Sequence, residues 1–367
     1  MQIENIPFNT LDEFLEKIKT ISVHNKIYIW GISIYGNLLG RLFNERRISW
    51  IGYYDNFNDI EESQLNFKPV YKNIEIDTSK NAIYILAMRN YDAVKKQLLS
   101  EGVKEKNILY FDNTKILEAI EEVLTGYVVS TDLLKTFKNK HKGEACFIVG
   151  NGPSLCTQDL DIIYKAGICS FACNLIFKCY SHTLWRPDYY FFTDGIGIRK
   201  TFKDKDVLQY AAQNCKYMFS RSNGELAEYK DVVENLILFK QVFSDSEQKF
   251  DFSEDCAEKV YTGYTVTYVM LQLAAYMGFE KIYLLGMDHT FSIELDKQNN
   301  VIENQNISNH AKILGDYSMW GIPDTIKTSL AYASAKRYAD SKGIKIYNAT
   351  RGGRLEIFER KNFDKLF

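Results

Sequence analysis

The sequence predicts an α/β protein whose parallel sheets are covered by helices. Short apolar runs rich in β-branched and aromatic residues alternate with helical patterns along the chain, which is typical of parallel strands joined by crossover helices. At 367 residues the chain exceeds the usual size of one core, so we expect two domains. We predict a small Rossmann-like domain in residues 1–115, a connecting helix and linker in 116–142, and a second, larger Rossmann-like domain in 143–367.

The first domain is predicted from three apolar runs that end in turns. These predicted strands cover residues 26–30, 50–55 and 81–87. The first strand leads into a glycine turn that is an incomplete dinucleotide fingerprint, because Ser33 stands where the pattern has its second glycine. Asp55 holds the position of a ribose-binding acid. We therefore expect a Rossmann-like fold whose site is empty or regulatory.

Composition and charge exclude several classes of protein. The formal net charge of -2 gives no basic surface of the kind that nucleic acids need. The chain has no apolar run of membrane-spanning length and begins without the features of a signal peptide, so we expect a soluble, cytoplasmic protein. We expect reduced cysteines, and Cys169, Cys173 and Cys179 lack a Cys-x-x-Cys pair, which favours buried apolar side chains over a zinc site.

Polar residues follow the predicted strands of the second domain. The strands are expected at 146–149, 168–173, 189–193, 281–286 and 345–348, with a helix at 265–277. Asn174, Thr193, Asp194, Asp288 and Asn348 stand at or just after strand ends. In open α/β sheets ligands bind outside the carboxyl ends of the strands, so these residues predict a binding site along one edge.

The run Gly150-Asn151-Gly152-Pro153-Ser154-Leu155 carries the clearest chemistry. It follows a predicted strand and is expected to open a helix, where free backbone amides attract a phosphate. Two glycines allow a close approach of the backbone, and proline and serine suit a first helical turn. Asn151 can both donate to and accept from a nucleotide. A second polar helix start, Tyr261–Thr267, offers Gly263, Thr265 and Thr267. These features predict a nucleotide-diphosphate or nucleotide-sugar site.

Residues 143–367 resemble the MptE-like domain family, named for archaeal 6-hydroxymethylpterin diphosphokinase. The shared features are the run Gly150–Leu155, Asn174 after a strand, the threonine-rich start of the helix 265–277, and the run 278–288. The same domain occurs in motility accessory factors, and it is similar to the family 42 sialyltransferases, which use CMP-sialic acid. The resemblance implies that Asn151 and Asn174 contact a nucleotide. It places a third contact near Thr193 and Asp194, where the sialyltransferases have Asn. A catalytic histidine within a mobile lid would correspond to His310.

The resemblance leaves three functions open. We favour a metal-independent glycosyltransferase that uses a CMP-nonulosonate donor and a glycan or protein acceptor in surface glycan or glycoprotein synthesis, with His310 as general base and a role for Asp288. The N-terminal module and a predicted lid at 296–317 favour this function. A Mg²⁺-dependent diphosphokinase would use Asp194 and Asp288 as metal ligands. A non-catalytic nucleotide-sugar-binding scaffold is the third alternative, and the oligomeric state stays open.

The predicted nucleotide-binding set comprises Gly150, Asn151, Gly152, Pro153, Ser154, Asn174, Thr193, Asp194, Gly263, Thr265 and Thr267.

Overall fold

A computed structural model gives the fold of the chain. It describes residues 11–32, 34–56, 64–65, 68–72, 76–88, 91–110, 129–222, 224–230, 232–244, 249–295, 301–303, 308–314 and 324–367. The chain divides into two compact units, Met1–Tyr127 and Val128–Phe367.

The first unit is built on a six-stranded sheet of order β3-β4-β2-β1-β5-β6. Its strands are β1 (Lys26–Trp30), β2 (Gly52–Asp55), β3 (Gln64–Leu65), β4 (Lys68–Lys72), β5 (Ala82–Leu86) and β6 (Ile108–Tyr110), and its helices are α1 (Leu11–Ser22), α2 (Ile34–Glu45) and α3 (Asp92–Ser100). All neighbouring strands are parallel except β3 and β4. The three strands predicted in this unit are confirmed as β1, β2 and β5.

The second unit is built on an eight-stranded, entirely parallel sheet of order β11-β10-β9-β8-β7-β14-β17-β18. These strands are β7 (Ala145–Val149), β8 (Cys169–Cys173), β9 (Tyr189–Phe191), β10 (Tyr217–Arg221), β11 (Leu236–Phe239), β14 (Lys281–Leu285), β17 (Lys345–Asn348) and β18 (Glu359–Arg360). Two short pairs lie outside this sheet, β12 (Gln241–Val242) with β13 (Val260–Tyr261) and β15 (Ile293–Leu295) with β16 (Val301–Glu303).

Six α-helices accompany this sheet in the described part of the second unit. They are α4 (Thr131–Lys135), α5 (Thr157–Lys165), α6 (Gly195–Thr201), α7 (Lys205–Gln213), α8 (Val266–Tyr276) and α9 (Thr325–Lys342). Helix α8 is apolar around most of its circumference and almost fully buried, as expected for a helix packed inside a domain. Buried residues cover both faces of the sheet in two separate clusters. The fold is therefore the predicted Rossmann-like α/β class.

The order of the strands reverses beside β7. The chain builds the sheet outward from β7 through β8, β9, β10 and β11, and β14 then pairs with the opposite edge of β7. In open α/β sheets ligands bind outside the carboxyl ends of the strands, at the point where the strand order reverses. The binding site predicted from the sequence falls at this reversal.

Part of the predicted linker is packed within the second unit. Phe137 is fully buried in one of its clusters, and the ring of His141 stacks on Phe279 with centroids 4.5 Å apart. The amides of Asn139 and His141 donate to the carbonyls at the end of α8. The structure thus attaches residues 130–142 to the second unit, whereas residues 111–128 lie outside the described residues. The exact limits of the connecting segment stay a prediction.

Candidate nucleotide site

The loop after β7 is held against the loop after β14. The amide of Gly150 donates to the carbonyl of Leu285 over 2.8 Å, and the amide of Gly152 donates to Gly286 over 2.9 Å. A Cβ atom on Gly150 would lie 2.6 Å from the carbonyl oxygen of Gly286, and one on Gly152 would overlap the carboxylate of Asp288. Both glycines are therefore required for contact between the two loops, and not only for the approach of a ligand.

The helix after this loop begins later than predicted. Pro153 and Ser154 lie in a turn, and α5 starts at Thr157 with Cys156 as its N-cap. The expectation that Pro153 and Ser154 form the first helical turn is wrong, because Ser154 instead contacts Asp288. Its hydroxyl donates to a carboxylate oxygen of Asp288 over 2.8 Å. The residues from Gly150 to Ser154 thus form a loop that is closed by a hydrogen bond to the neighbouring strand end.

Asp288 is a buried carboxylate at the centre of this junction. Its side chain belongs to a residue that is only 7% exposed. Burial raises the pKa of Asp288, and the hydrogen bonds from Ser154 oppose that rise. Asp288 caps no helix, since residues 289–292 form none. The neighbouring His289 turns away to pair its Nε2 with the hydroxyl of Ser329 at 2.9 Å.

Two asparagine side chains at adjacent strand ends carry unused acceptors. The amide nitrogen of Asn151 donates to the carbonyl of Cys173 over 3.0 Å, which ties the end of β7 to the end of β8. Asn174 adopts a left-handed backbone with φ of 52°, and its carbonyl accepts from the hydroxyl of Tyr190. The side-chain oxygens of both asparagines are buried and have no hydrogen-bond partner among the described residues. Buried acceptors are normally satisfied, so these two oxygens are suited to donors on a ligand.

The segment that carries His310 contacts the loop of Asn151. The amide of the next residue, Ala311, donates to the carbonyl of Asn151 over 2.9 Å. Burial lowers the pKa of His310 to about 4. Asn309 anchors the same segment to the loop after β14 by two hydrogen bonds with Ser292, of 2.7 and 2.6 Å.

Residues 308–314 of the predicted lid are anchored to the core. Ala311 and Leu314 are both 1% exposed, so residues 308–314 form an anchored segment and not a free surface loop. Residues 296–300, 304–307 and 315–317 of the predicted lid lie outside the described residues.

Thr193 and Asp194 follow β9 as predicted, but the carboxylate of Asp194 has a local role. It caps α6 by accepting from the amide of Gly197 over 2.8 Å. Thr193 is half-buried beside it. Among the residues that the structure describes, no three His, Cys, Asp or Glu side chains are grouped so that they could hold a metal ion.

The second polar helix start packs directly against the β14 loop. Thr265 caps α8 and accepts from the amide of Thr267 over 3.3 Å. The hydroxyl of Thr267 is buried and lies 3.4 Å from the sulfur of Met287. Gly263 faces the ring of Tyr268, so a larger side chain there would displace the ring. Thr265 and Thr267 thus belong to the same carboxyl edge as the loop 286–288.

The predicted cysteine cluster consists of buried side chains. Cys173 and Cys179 are buried, and burial raises the pKa of each thiol to about 12. Cys169 is partly buried at the start of β8. All three are free thiols.

In the first unit, the carboxylate of Asp55 accepts from the amide of Ile32 in the glycine turn over 2.9 Å. The acid thus holds the turn itself, at the position expected for ribose recognition. Ser33 lies outside the described residues.

Three further polar groups lie at the carboxyl ends of β10 and β11. They are the Nε of Arg221, the hydroxyl of Ser222 and the side-chain oxygen of Gln241, and each is buried without a hydrogen-bond partner among the described residues. No strand is predicted in this region from the sequence, so these residues were not expected in the site. The apolar runs 217–219 and 236–239, each followed by polar residues, carry the signal that would have identified them.

A protein-family model matches part of this chain. Residues 114–294 match the family model described as 6-hydroxymethylpterin diphosphokinase MptE-like, so the match includes the whole predicted linker. No curated protein matches the sequence.

Solved structures give distant similarities. The MAf glycosyltransferase from Magnetospirillum magneticum AMB-1 aligns with 14% identity and a TM-score of 0.41 over 99% of this chain and 64% of that one. This chain therefore spans about two thirds of the length of that protein. The sialyltransferase CstII from Campylobacter jejuni, in complex with the substrate analogue cytidine-5'-monophosphate, aligns with 15% identity and a TM-score of 0.36 over 62% of this chain and 88% of that one.

Proposed function

We propose that this chain is a glycosyltransferase that uses a nucleotide-activated sugar. The favoured donor is a CMP-linked nonulosonate, and the acceptor is a hydroxyl group of a glycan or protein during surface glycan or glycoprotein synthesis. We propose a cytoplasmic location for this reaction. Among the described residues, no helix combines the length and the apolar character needed to cross a membrane.

The observation that carries the proposal is the pair of unused asparagine oxygens at the ends of β7 and β8. A nucleotide offers the donors that such acceptors need, in ribose hydroxyls and in the exocyclic amine of cytosine. Open α/β sheets bind such ligands at the carboxyl edge, at the point where the strand order reverses. Polar groups of Thr265 and of the loop 150–154 line the same edge and complete a set that suits a nucleotide.

His310 is the proposed general base. It would take the proton of the acceptor hydroxyl while that oxygen attacks the anomeric carbon of the donor sugar. The bond from that carbon to the phosphate oxygen breaks, and the nucleotide leaves with the electron pair. Because burial lowers the pKa of His310 to about 4, the imidazole is unprotonated at neutral pH and can accept a proton. A donor phosphate placed beside it would raise this pKa and strengthen the base.

A second candidate is a Mg²⁺-dependent diphosphokinase, which the description of the matching family model favours. Its metal ligands would be Asp194 and Asp288. In the structure Asp194 caps α6 and Asp288 accepts from Ser154, so both carboxylates would exchange protein hydrogen bonds for the metal. We therefore rank this reaction behind sugar transfer.

The deciding experiment is transfer from a CMP-activated sugar in the presence of EDTA. We expect transfer to persist, and His310→Ala to reduce its rate about 100-fold, the usual scale for the loss of a general base, with little change in nucleotide affinity. Transfer that disappears with EDTA, together with pyrophosphoryl transfer from ATP, would favour the diphosphokinase. Nucleotide-sugar binding without any turnover would favour a non-catalytic scaffold.

A further inference from the structure

Arg221, Ser222 and Gln241 occupy one place in the fold. Arg221 ends β10 and pairs in register with Phe239 at the end of β11. The amide of Ser222 donates to the carbonyl of Phe239 over 2.9 Å, and Gln241 follows two residues later. The carboxyl ends of two neighbouring strands thus bring these three side chains to the same edge.

This edge adjoins the predicted nucleotide loops on two sides. On one side, a Cβ atom on Gly195 would lie 2.6 Å from Nη2 of Arg221, so the loop Thr193–Gly195 touches the arginine. On the other side, Gln241 pairs with Val260, and the amide of Thr262 donates to Val242 over 2.8 Å. The three residues therefore lie next to two segments of the predicted nucleotide set.

Each of the three residues holds a polar atom that the described protein leaves unsatisfied. Ser222 is only 2% exposed, and its hydroxyl has no partner among the described residues. The same is true of the buried Nε of Arg221 and the buried side-chain oxygen of Gln241. Unsatisfied buried polar groups are costly and rare in folded proteins, so several at one edge point to a ligand that supplies their partners.

The charges at this edge select the chemistry of that ligand. Nη2 of Arg221 lies 3.1 Å from a carboxylate oxygen of Glu225, and the two side chains are 15% and 13% exposed. Because the carboxylate of Glu225 neutralises the charge of Arg221, this edge is poorly suited to binding a phosphate or a carboxylate. It offers one N–H donor, one hydroxyl and one carbonyl acceptor. Sugar hydroxyls both donate and accept, and they match such a mixed set.

We propose that Arg221, Ser222 and Gln241 form a subsite that binds hydroxyl or amide groups of the sugar carried by the nucleotide donor. The proposal rests on the proposed use of a nucleotide sugar and assigns the part of the site that recognises its sugar. Contact with the nucleotide loops on both sides favours the donor sugar over the acceptor. These residues position the sugar and take no part in proton transfer.

The first test compares a nucleotide with its own nucleotide sugar by titration calorimetry. The probe pairs are CMP with CMP-N-acetylneuraminate and UDP with UDP-N-acetylglucosamine. The variants are Gln241→Leu, Ser222→Ala and Arg221→Lys, which keeps a cation beside Glu225 but removes the Nε donor. The control is Gln213→Leu at an exposed position of α7.

We expect each variant to bind the free nucleotide as the wild type does and to bind the nucleotide sugar about tenfold more weakly, as for the loss of one buried hydrogen bond. Equal losses for nucleotide and nucleotide sugar would overturn the subsite while the proposed function stands. If the wild type binds none of the four probes, the proposed function and the subsite both fail.

The second test needs no ligand. Removing a buried polar atom that lacks a partner should not reduce stability, so Gln241→Leu and Ser222→Ala are expected to melt at or above the wild-type temperature. A fall of several degrees in both variants would mean that these atoms have partners in the ligand-free protein, and it would overturn the proposal.

Discussion

The hydroxyl of Ser154 donates to the carboxylate of Asp288 over 2.8 Å, although the two residues are 134 positions apart in the chain. This hydrogen bond closes the loop after β7 onto the loop after β14. It adds a side-chain contact to the two backbone hydrogen bonds that join these loops where the strand order reverses.

Replacing Ser154 by alanine is expected to lower the free energy of unfolding by about 1.5–3 kcal/mol, because a buried carboxylate loses a donor. Urea denaturation measures the change. The control is Ser181→Ala at an exposed position, which should leave stability unchanged within about 0.5 kcal/mol. A Ser154 variant as stable as this control would contradict the role assigned to the hydrogen bond.

Asp288→Asn separates a chemical role from a structural one. Asparagine keeps an oxygen that accepts from Ser154, so we expect a melting temperature near pH 7 at or above that of the wild type, and a loss of transfer if the carboxylate takes part in the reaction. Unchanged transfer would leave Asp288 with the structural role alone.

The stabilities of the wild type and of the Asp288→Asn variant are expected to depend differently on pH. Because burial raises the pKa of Asp288 in the folded state, the folded wild type holds a proton that the unfolded chain releases. Its stability relative to the variant should fall as the pH rises from about 4, and the difference should level off above the raised pKa. A wild-type stability that rises relative to that of the variant over this range would contradict a raised pKa of Asp288 in the folded state.

Asn151→Ala and Asn174→Gly are expected to weaken nucleotide binding roughly tenfold each, since each removes an acceptor that the described protein leaves unused. Glycine is chosen at residue 174 because it accepts the left-handed backbone at φ of 52°. Titration with CMP gives the affinity. Asn139→Gly, at an exposed position with φ of 58°, is the matched control and should bind as the wild type. Wild-type affinity in both site variants would remove the two asparagines from the nucleotide site.

The low pKa of His310, about 4, predicts an unusual pH profile for transfer. The value of kcat/KM should stay level from neutral pH downward and should fall only as the pH approaches about 4, where the free enzyme takes up a proton. An ordinary histidine would give a fall near pH 6.5. A profile centred there would contradict the burial of the base in the free enzyme.

Stability should depend on His310 in a defined direction. Since the folded pKa lies below the ordinary value of 6.5, the unfolded chain binds more protons between these two values. The free energy of unfolding should therefore decrease as the pH falls from 6.5 to about 4. His310→Gln should show a flatter profile over the same range, as measured by urea denaturation. Parallel stability profiles of the wild type and the variant would contradict a lowered pKa of His310 in the folded state.

The sequence predicts the fold class well because strand and helix periodicities are local signals. The runs 26–30 and 145–149 are apolar and short, and each is followed by a glycine turn, so their assignment needs no tertiary information. Strands β10 and β11 were not predicted. Their runs, 217–221 and 236–239, are separated by irregular turns and a 3₁₀ segment, so no helix between them signals a parallel pair.

The candidate site could be predicted only in part for the same reason. Asn151 and Asn174 stand directly after recognisable strands, and their position at one sheet edge follows from parallel topology. The contact of Ser154 with Asp288 depends on which strands become neighbours, and no local pattern encodes that pairing. The subsite of Arg221, Ser222 and Gln241 stayed hidden because the strands that carry it were not predicted.

The position of β7 has a consequence for the synthesis of the protein. Val149 of β7 pairs with Leu285 of β14. One edge of this central strand therefore stays unpaired until the ribosome has synthesised more than a hundred further residues. At bacterial or eukaryotic elongation rates the delay is on the order of ten seconds. During that time the nascent chain exposes an apolar strand edge, which favours aggregation and the binding of chaperones. The sheet edge that we assign to nucleotide binding is thus completed late in translation.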